Sequence, residues 1–503
     1  MLEKFRNRSA SFIRVLSVII LAVILTANLI YTTRISYDLD EIVTYHRTYW
    51  YLIPLAVLSV VLLYGSGLLD RLSAGRLYGL LSVVYIAAAC FIIFSYTDHI
   101  RADAYMCWDI AERLLNGNYK TLQEGGYINH FPYQLGLVAY EMFLRLFTDN
   151  ERVMYVASLV QVLVINWFGY LIADRLFHNP FVSKLTLVLE FGFLPQFFLI
   201  HFGYGTIPGM CCLVASFYHF ICLYQGDTRR YHAVLAVLFI LLASILKMNY
   251  CIGAAAMAIM LILKLLTEQK QVVGRIVLAC LMVILPLYAS SVITEIFSFA
   301  TNIEIGGGVP VASYIAMGTD LDNVSRAPGW YDGSAWDDYG AGNNDTEETA
   351  RLAKAKIRDN IADSLEDPGR ALKFYGKKIV SEWADPLFES VWSGPMSQSE
   401  QSPETPSRIL RSLYGGGDVE QVVAVVMKGF LVLVLAAALL FQLHRGREYP
   451  ASLLLPLYMI GGFIFHFFSE GKSQYTYMYI FVLLPLCACE LALIRERFWN
   501  RSK

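Results

Sequence analysis

The sequence is poor in charged residues. Only 16% of its 503 residues are Asp, Glu, Lys or Arg, against roughly 25% in an average soluble domain. The apolar residues, 56% of the chain, fall in long runs such as residues 18–25 and 430–440, which are too uniform for an amphipathic surface helix. This pattern excludes an ordinary soluble globular protein. The formal net charge of −2 gives no support for a nucleic-acid partner.

Two chemical signatures are also missing. The nine cysteines lie mostly within apolar runs, and only Cys107 falls in a polar connection, so the spacing shows neither a disulfide framework nor a metal site. No GxGxxG motif and no phosphate-binding Gly-Lys loop is present, which argues against a soluble nucleotide substrate on the cytoplasmic side. The pattern requires no cofactor, although single carboxylates such as Asp109 leave a divalent metal open.

About twelve segments are long and apolar enough to cross a bilayer as helices of roughly 20 residues. They begin near Phe12, Trp50, Leu77, Val153, Phe181, Ile207, Ala233, Tyr250, Val272, Val422, Ala451 and Tyr475. Pro195 lies inside the fifth segment and predicts a kink, because apolar residues continue on both sides of it. The predicted fold class is an all-α polytopic membrane protein.

Lysine and arginine are distributed unevenly between the two sets of connections. One alternating set is basic and comprises Lys4, Arg6, Arg8, Arg71, Arg76, Arg175, Lys184, Arg229, Arg230, Lys270, Arg275, Arg445, Arg447, Arg495, Arg497, Arg501 and Lys503. Among the other short connections, only Arg34, Arg47 and Lys247 run against this bias. Basic residues favour the cytoplasmic side, so we predict a multi-pass protein of the plasma membrane with both termini in the cytoplasm.

This topology divides the chain into five parts. Residues 1–97 hold three spans, 98–152 form a first long extracytoplasmic loop, 153–296 hold the central spans, 297–420 form a second long extracytoplasmic loop, and 421–503 hold the last spans and a basic tail. The N-terminal apolar run is long and lacks a small-x-small cleavage site after it, so we interpret it as a first span rather than a cleaved signal.

The first long loop contains an acidic residue at the start of a predicted helix. Met106, Ile110 and Leu114 recur every four residues, which predicts an amphipathic helix at the membrane surface after Asp103. Two interpretations of Asp103 are open from these residues alone. Its carboxylate could satisfy first-turn amides as an N-cap, or it could be a general base tuned by partial burial.

The same loop resembles a segment of the C-type (GT-C) glycosyltransferases, with the closest likeness to their bacterial members that use polyprenyl-phosphate sugars. The resemblance rests on Asp103, Ala111, Leu114, Gly117, Tyr119 and the run Phe131-Pro-Tyr-Gln134-Leu-Gly136. It also covers the number of spans and the outer placement of the loop. In that superfamily an acidic residue of an early outer loop activates the acceptor, which implies that Asp103 is catalytic. We place His130, Tyr133 and Gln134 of the same loop among the substrate-binding candidates.

A second acidic group competes with Asp103 for the role of base. The connection after the first span carries Asp38, Asp40 and Glu41, and members of the superfamily often place their base there. The alternative interpretation is that these acids pair with Arg34 and Arg47 on a solvated turn.

The second long loop has the composition of a folded, water-exposed segment. Asn344, three residues before Glu347, resembles a capping box, and Asp367 followed by Pro368 predicts a second helix start. We expect this second helix to end before Pro386.

The tail of the second predicted helix mixes carboxylates with large aromatic residues, which are typical of a membrane interface. Glu382 and Asp385 in this tail are candidates for contacting an acceptor. The alternative is that they are incidental charges in an aromatic belt.

Lysines in two short outer turns are candidates for binding a lipid phosphate. Lys472 lies between Glu470 and Tyr475, which we add to the substrate-binding candidates, but its ammonium could also snorkel to lipid headgroups. Lys247 runs against the charge bias and has no acid close in sequence. An anionic lipid-linked phosphate would supply its partner, and so would Glu470 or a phospholipid headgroup.

The resemblance implies a membrane glycosyltransferase that moves a sugar from a polyprenyl phosphate, such as undecaprenyl phosphate, to a glycan or other acceptor of the cell envelope. Asp103 would take the acceptor proton, Lys472 and Lys247 would stabilise the leaving phosphate, and attack from the opposite face would invert the sugar carbon. Two alternatives stay open. One is a polysaccharide polymerase or ligase that uses a lipid-linked oligosaccharide, and the other is a transporter or flippase, which predicts broken spans and repeated halves.

Overall fold

The computed structural model describes residues 2–36, 41–50, 58–60, 67–96, 100–266, 272–395 and 405–499. Within these ranges the fold is all-α apart from one antiparallel hairpin of strands Tyr31–Ile35 and Val43–Arg47. The helices are Leu2–Ile30, Leu68–Arg71, Ala74–Ser95, Ala102–Leu115, Tyr127–His130, Leu135–Arg145, Arg152–Phe177, Pro180–Gly192, Leu194–Phe198, Thr206–Tyr224, Tyr231–Leu246, Cys251–Leu265, Val272–Thr301, Val311–Thr319, Ser334–Ala341, Thr346–Glu366, Pro368–Trp383, Arg408–Tyr414, Asp418–His444, Leu454–Phe468, Ser473–Phe481 and Leu484–Trp499.

Eight helical segments are long and apolar enough to cross a membrane. They are Arg6–Ile30, Ala74–Ser95, Arg152–Phe177, Thr206–Tyr224, Met248–Leu265, Val272–Thr301, Asp418–His444 and Pro450–Phe468. Two bent helix pairs raise the number to as many as ten if each pair is one span. The chain is therefore a multi-pass membrane protein of the all-α class.

The predicted segments coincide with these helices, with two qualifications. The segment beginning near Ala233 corresponds to Tyr231–Leu246, which is apolar but shorter than the other spans. The segment beginning near Trp50 lies almost entirely outside the described residues. The number of twelve spans therefore stays a prediction.

The kink predicted at Pro195 is confirmed. Helix Pro180–Gly192 ends just before Phe193, and the segment Leu194–His201 leaves at an angle of 52°, because proline lacks the N–H that would continue the helix. The second bent pair, Ser473–Phe481 with Leu484–Arg497, turns by 51°. The ring of Phe193 stacks on Tyr477 of this second pair, with ring centroids 5.9 Å apart. The two bent spans thus face each other near their breaks.

Basic connections lie together at one end of the bundle. Arg14 Nε donates to the Gly446 carbonyl at 3.0 Å, and Lys184 Nζ donates to the Leu72 carbonyl at 3.2 Å. Arg495 forms an ion pair with Asp70. These contacts join connections that the charge distribution assigns to the same side.

Helices of the second long loop cover the opposite end. Asp367 accepts a hydrogen bond from Arg370 N at 2.9 Å and caps helix Pro368–Trp383, as predicted. The preceding helix is capped by Asp345, whose carboxylate accepts from Glu348 N at 2.7 Å, so the predicted start at Asn344 is wrong by one residue. Asn344 instead adopts a left-handed conformation, with φ 55°, in the turn before the helix.

The hydrophobic core lies mainly between the apolar helices. One continuous hydrophobic cluster runs through the bundle, and a smaller one lies beneath the loop helices around Phe131, Met317 and Tyr339. The two layers meet where the short turns between spans contact the loop helices, and the candidate site lies at this junction.

Candidate functional site

Asp103 lies in the first turn of helix Ala102–Leu115, but it is not the N-cap. The cap position is Arg101, and no side chain caps the helix. The guanidinium of Arg101 lies 3.8 Å from the centre of the Trp392 ring, and its Nη1 donates to the Trp392 carbonyl at 2.8 Å. The interpretation of Asp103 as an N-cap is therefore wrong, because its carboxylate is not used to start the helix.

The predicted amphipathic helix is confirmed with a small shift of its buried face. Ile110 and Leu114 are buried as expected, but Cys107 and Ala111 complete the face, and Met106 is 37% exposed. This face packs against helix Leu135–Arg145. Asp103 is therefore held by a well-packed helix.

Asp103 is an exposed residue whose carboxylate is nevertheless partly desolvated by neighbouring protein groups. The residue as a whole is more than a third exposed, yet the protein groups packed around its carboxylate raise the pKa of Asp103 by desolvation. The charge of Glu41 acts in the same direction, whereas Lys472, the Tyr127 hydroxyl and Lys247 oppose it. An accessible carboxylate of raised pKa is suited to accept a proton.

Glu41 is the centre of an ion-pair network. Its Oε2 lies 2.6 Å from Lys472 Nζ and 2.7 Å from Arg326 Nη1. The side chains of Glu41 and Lys472 are only 9% and 14% exposed. Burial alone would raise the pKa of Glu41, but the charge and hydrogen bond of Lys472 and the charge of Arg326 outweigh it, so this pKa is lowered.

The network corrects two alternative interpretations. Glu41 does not pair with Arg34, whose guanidinium instead lies 3.1 Å from Glu420. The ammonium of Lys472 has a carboxylate partner in Glu41 and does not need a lipid headgroup to pair its charge. Asp38 and Asp40 lie outside the described residues.

Lys247 is partly buried beside the same cluster, and no described carboxylate pairs with it. Its Nζ donates to Thr206 Oγ1 at 2.9 Å and lies 5.1 Å from the Tyr204 ring centre and 5.2 Å from that of Tyr475. Within the described part of the chain, no carboxylate comes within ion-pair distance of it. Burial lowers the pKa of Lys247 to about 8, against the opposing charges of Glu389 and Glu470.

Glu470 is held on the turn that carries Lys472. Its backbone N–H donates to the Tyr314 carbonyl at 2.8 Å, and its carboxylate accepts from the Tyr475 hydroxyl at 3.3 Å. Burial raises the pKa of Glu470, and the charge of Lys472 opposes the shift. We call Glu41, Asp103, Lys247, Glu470 and Lys472 the charged cluster.

Tyrosines line the charged cluster. Tyr133 and Tyr314 share a hydrogen bond between their hydroxyls at 3.0 Å, and Gln134 donates to the Tyr204 hydroxyl. The charge of Asp103 acts on Tyr127, Tyr204, Tyr314 and Tyr331. Tyr133 and Gln134 are therefore connected to the cluster indirectly, because they hydrogen-bond to Tyr314 and Tyr204, on which the charge of Asp103 acts.

His130 does not join the charged cluster. Its ring stacks on Trp336 with centroids 3.6 Å apart, and its Nδ1 is 3.0 Å from the Gly126 carbonyl. These contacts explain its burial as packing between the first loop and helix Ser334–Ala341.

Glu382 and Asp385 lie behind the turn that carries the cluster. Asp385 accepts hydrogen bonds from Leu387 N at 2.9 Å, Glu389 N at 2.7 Å and Ser473 Oγ at 2.8 Å. Glu382 lies 4.0 Å from Lys378 Nζ. The burial of Asp385 is therefore explained by its hydrogen bonds, whereas Oε1 of Glu382 has no hydrogen-bond partner among the described residues.

Lys378 was not anticipated, and it supports the turn directly. Its buried ammonium donates to the carbonyls of Gly318 and Ser469, each at 2.7 Å. Ser469 is followed by Glu470, so Lys378 links the loop helices to the turn of the charged cluster. The spacing of Lys378 and Glu382, four residues apart on a predicted helix, was the available signal.

Five described residues other than glycine and asparagine have a left-handed backbone; four of them lie around the charged cluster, and the fifth, His178, ends helix Arg152–Phe177. Among the described residues, Glu41, Ala102, Phe388 and Glu389 adopt left-handed conformations with φ between 50° and 57°, which are uncommon for residues other than glycine and asparagine. Glu41 belongs to the cluster, and Ala102 precedes Asp103. Phe388 precedes Glu389, whose charge acts on Lys472. Such strain is found most often at functional sites.

The described residues show no group of three or more His, Cys, Asp or Glu side chains that could hold a metal ion. Asp109, the carboxylate that left a metal open, forms an ion pair with Arg113 at 2.7 Å. The cluster itself alternates acids with lysines, which is a poor ligand set for a cation.

In comparisons with known proteins, no family model matches the chain and no curated protein is significantly similar to it. The chemistry of the charged cluster is therefore the basis for a proposed function.

Proposed function

We propose that the protein is a membrane glycosyltransferase that transfers a sugar from a polyprenyl phosphate to a cell-envelope acceptor on the extracytoplasmic side. One observation supports it most directly. The exposed residue Asp103 shares a cluster with Lys247, a partly buried cation that contacts no described carboxylate. The reaction needs a base for the acceptor hydroxyl and a cation for the leaving phosphate.

Asp103 is a better base than Glu41. The carboxylate of Glu41 already accepts from two cations, and its lowered pKa makes it a poor proton acceptor. Asp103 contacts neither of these cations, and its raised pKa favours proton uptake. Glu41 then serves to hold Lys472 and Arg326 in place.

Lys247 is the stronger candidate for the phosphate. The charge of Lys472 is matched by Glu41 at 2.6 Å, whereas Lys247 contacts a hydroxyl and two aromatic rings. An incoming phosphate would supply the anion that this partly buried ammonium lacks. The surrounding tyrosines offer hydroxyls and ring faces to the sugar.

The chemical step is a single displacement. Asp103 accepts the proton of the acceptor hydroxyl while the hydroxyl oxygen bonds to the anomeric carbon. The bond between that carbon and the phosphate oxygen breaks, and the oxygen keeps the electron pair beside Lys247. Attack opposite the leaving group gives inversion, and Asp103 later returns the proton to water.

The test is release of polyprenyl phosphate by the purified protein from a panel of lipid-linked monosaccharides with membrane glycan acceptors. Loss of a general base typically costs about 10² to 10⁴ in rate, so Asp103→Asn should lower turnover by this amount while thermal unfolding stays unchanged. Asp109→Asn, the same substitution six residues later on the same helix, is the matched control and should retain turnover. Full turnover by a folded Asp103→Asn variant would move the base to another residue.

Protonation of Asp103 should also shape the pH profile. A base must be ionised, so the rate should fall as the pH drops through the raised pKa of Asp103. A rate that is insensitive to pH on the acid side would count against this carboxylate.

A transporter or flippase is the second candidate, and the two bent spans favour it. Broken helices that face each other are typical of transporters, and the two spans bent by 52° and 51° contact each other near their breaks. An assay in proteoliposomes distinguishes the two functions. A flippase moves a lipid-linked sugar between leaflets without an acceptor, whereas the proposed enzyme releases polyprenyl phosphate only when an acceptor is present. Turnover of oligosaccharide donors alone would indicate a polymerase or ligase.

A further inference from the structure

Glu190 is a carboxylate in the middle of a span. It is the eleventh residue of helix Pro180–Gly192, which starts at the basic end of the bundle. At a rise of about 1.5 Å per residue, its Cα lies about 15 Å along the helix, near the middle of a hydrocarbon core of about 30 Å. The side chain is fully buried.

The carboxylate of Glu190 has no polar partner among the described residues. Neither of its oxygens accepts or donates a hydrogen bond, and no charged group is close enough to act on it. Among the titratable residues of the neighbouring helices, Tyr477 is close enough for the charge of Glu190 to act on it.

Helix Pro180–Gly192 packs against helices Leu68–Arg71, Ala74–Ser95, Arg152–Phe177 and Leu484–Trp499. The remaining ionisable groups on these five helices have other neighbours or lie closer to the helix ends. They are Asp70, Arg71, Arg76, Tyr78, Tyr85, Cys90, Arg152, Tyr155, Tyr170, Asp174, Arg175, Lys184, Cys487, Cys489, Glu490, Arg495, Glu496 and Arg497. Two of these acids have partners of their own, since Asp174 accepts from Ser183 Oγ at 3.3 Å and Glu490 lies 3.0 Å from His444.

The neighbouring span is shaped around this carboxylate. Gly169 lies directly against it, and a Cβ at position 169 would overlap the carboxylate oxygens. Beside it, a polar chain joins the spans: Gln196 Nε2 donates to Asn166 Oδ1 at 2.6 Å, and the Tyr477 hydroxyl donates to Gln196 Oε1 at 2.9 Å. Gln196 and Tyr477 belong to the two bent spans.

An ionised Glu190 could not persist in this environment. A charge without a partner in a membrane interior costs several kcal/mol, whereas the neutral acid pays only for unmade hydrogen bonds. We infer that Glu190 is a proton-binding site inside the membrane, occupied in this arrangement of the bent spans. Release of the proton to water breaks the carboxyl O–H bond and leaves an anion, which requires the bent spans to move so that water or a cation reaches it.

This inference does not depend on the proposed sugar transfer, and its test needs no substrate. The purified full-length protein is treated with a hydrophobic carbodiimide, which reacts with protonated carboxyls in apolar surroundings, and modification of Glu190 is measured by mass spectrometry. Labelling should be high at acidic and neutral pH and should be lost at strongly alkaline pH. In parallel, the infrared band of a protonated carboxylic acid should be present in the wild-type protein and reduced in Glu190→Gln.

Two controls keep the result interpretable. Gly169→Ala should reduce labelling of Glu190, because the added methyl group displaces the carboxyl. If Glu190→Gln does not fold, the pH series on the wild-type protein still decides. Absence of labelling at every pH, or protection from labelling by sodium ions alone, would overturn the inference, the latter by assigning a cation to the site.

Discussion

Lys378→Met should destabilise the protein through the turn that carries the charged cluster. Lys378 is fully buried in helix Pro368–Trp383 and donates to the carbonyls of Gly318 and Ser469, each at 2.7 Å. Methionine has a similar length and volume, so the substitution removes the ammonium without leaving a large cavity. Both carbonyls lose their side-chain donor.

The expected cost follows from the two carbonyls. An unsatisfied buried polar group costs about 1 to 3 kcal/mol, so the pair should lower the free energy of unfolding by about 2 to 6 kcal/mol, less any relief from no longer burying a charge. The measurement is reversible unfolding in mixed micelles of a mild detergent and a denaturing one. Lys373→Met is the matched control, because Lys373 lies on the exposed face of the same helix, and an exposed substitution should change stability by less than about 0.5 kcal/mol.

A refuting result is simple to recognise. If Lys378→Met and Lys373→Met have the same free energy of unfolding, the ammonium does not hold Gly318 and Ser469 together. A large loss that is restored by Lys378→Arg would instead support the reasoning, since a guanidinium can also donate to two carbonyls.

Other expected outcomes concern the same region. Burial raises the pKa of Glu382 to about 8 from an ordinary value of 4.5, so the folded protein binds an extra proton between these values. The contribution of Glu382 to stability should be fully present below pH 4.5 and be lost as the pH rises through about 8, and Glu382→Gln should remove this part of the pH dependence of the unfolding free energy. A methyl group on Gly318 would overlap the backbone of Ser469, so Gly318→Ala should destabilise the protein. A methyl group on Gly376 would meet open space. Gly376→Ala should therefore stabilise the protein by about 0.5 to 1 kcal/mol in the same unfolding assay. Lys247→Gln should weaken binding of polyprenyl phosphate by about tenfold to a hundredfold, because a charged hydrogen bond is worth about 1.5 to 3 kcal/mol. Binding is measured by the thermal stabilisation that the lipid gives the protein. Unchanged binding would place the phosphate elsewhere.

Individual members of the site were visible in the sequence. Lys247 departs from the charge bias of its neighbours, and Lys472 and Glu470 are ionisable residues at a membrane boundary, which are costly unless they have a role. The contact between Glu41 and Lys472 was not visible, because 431 residues separate them. Arg326, 285 residues from Glu41, carried no local signal of its place in the network.

Local signals also predicted several element boundaries. Asp367 and Pro368 marked a helix start, and Pro195 marked the kink, because a cap and a missing N–H act within one turn of helix. The start at Asp345 was missed by one residue, since two asparagines in left-handed conformations extend the preceding turn. A choice between neighbouring capping residues depends on how the chain enters the helix.

The sequence by itself determined that the chain enters a membrane as a set of helices, because a long apolar run must satisfy its backbone hydrogen bonds internally wherever water is absent. Only the tertiary structure decided which charges meet. It paired Glu41 with Lys472 and Arg326, left Lys247 beside Thr206 and two tyrosine rings, and buried Glu190 against Gly169. These outcomes depend on the packing and rotation of helices far apart in the chain, and the strength of each charge depends on the partners and the burial that this packing provides.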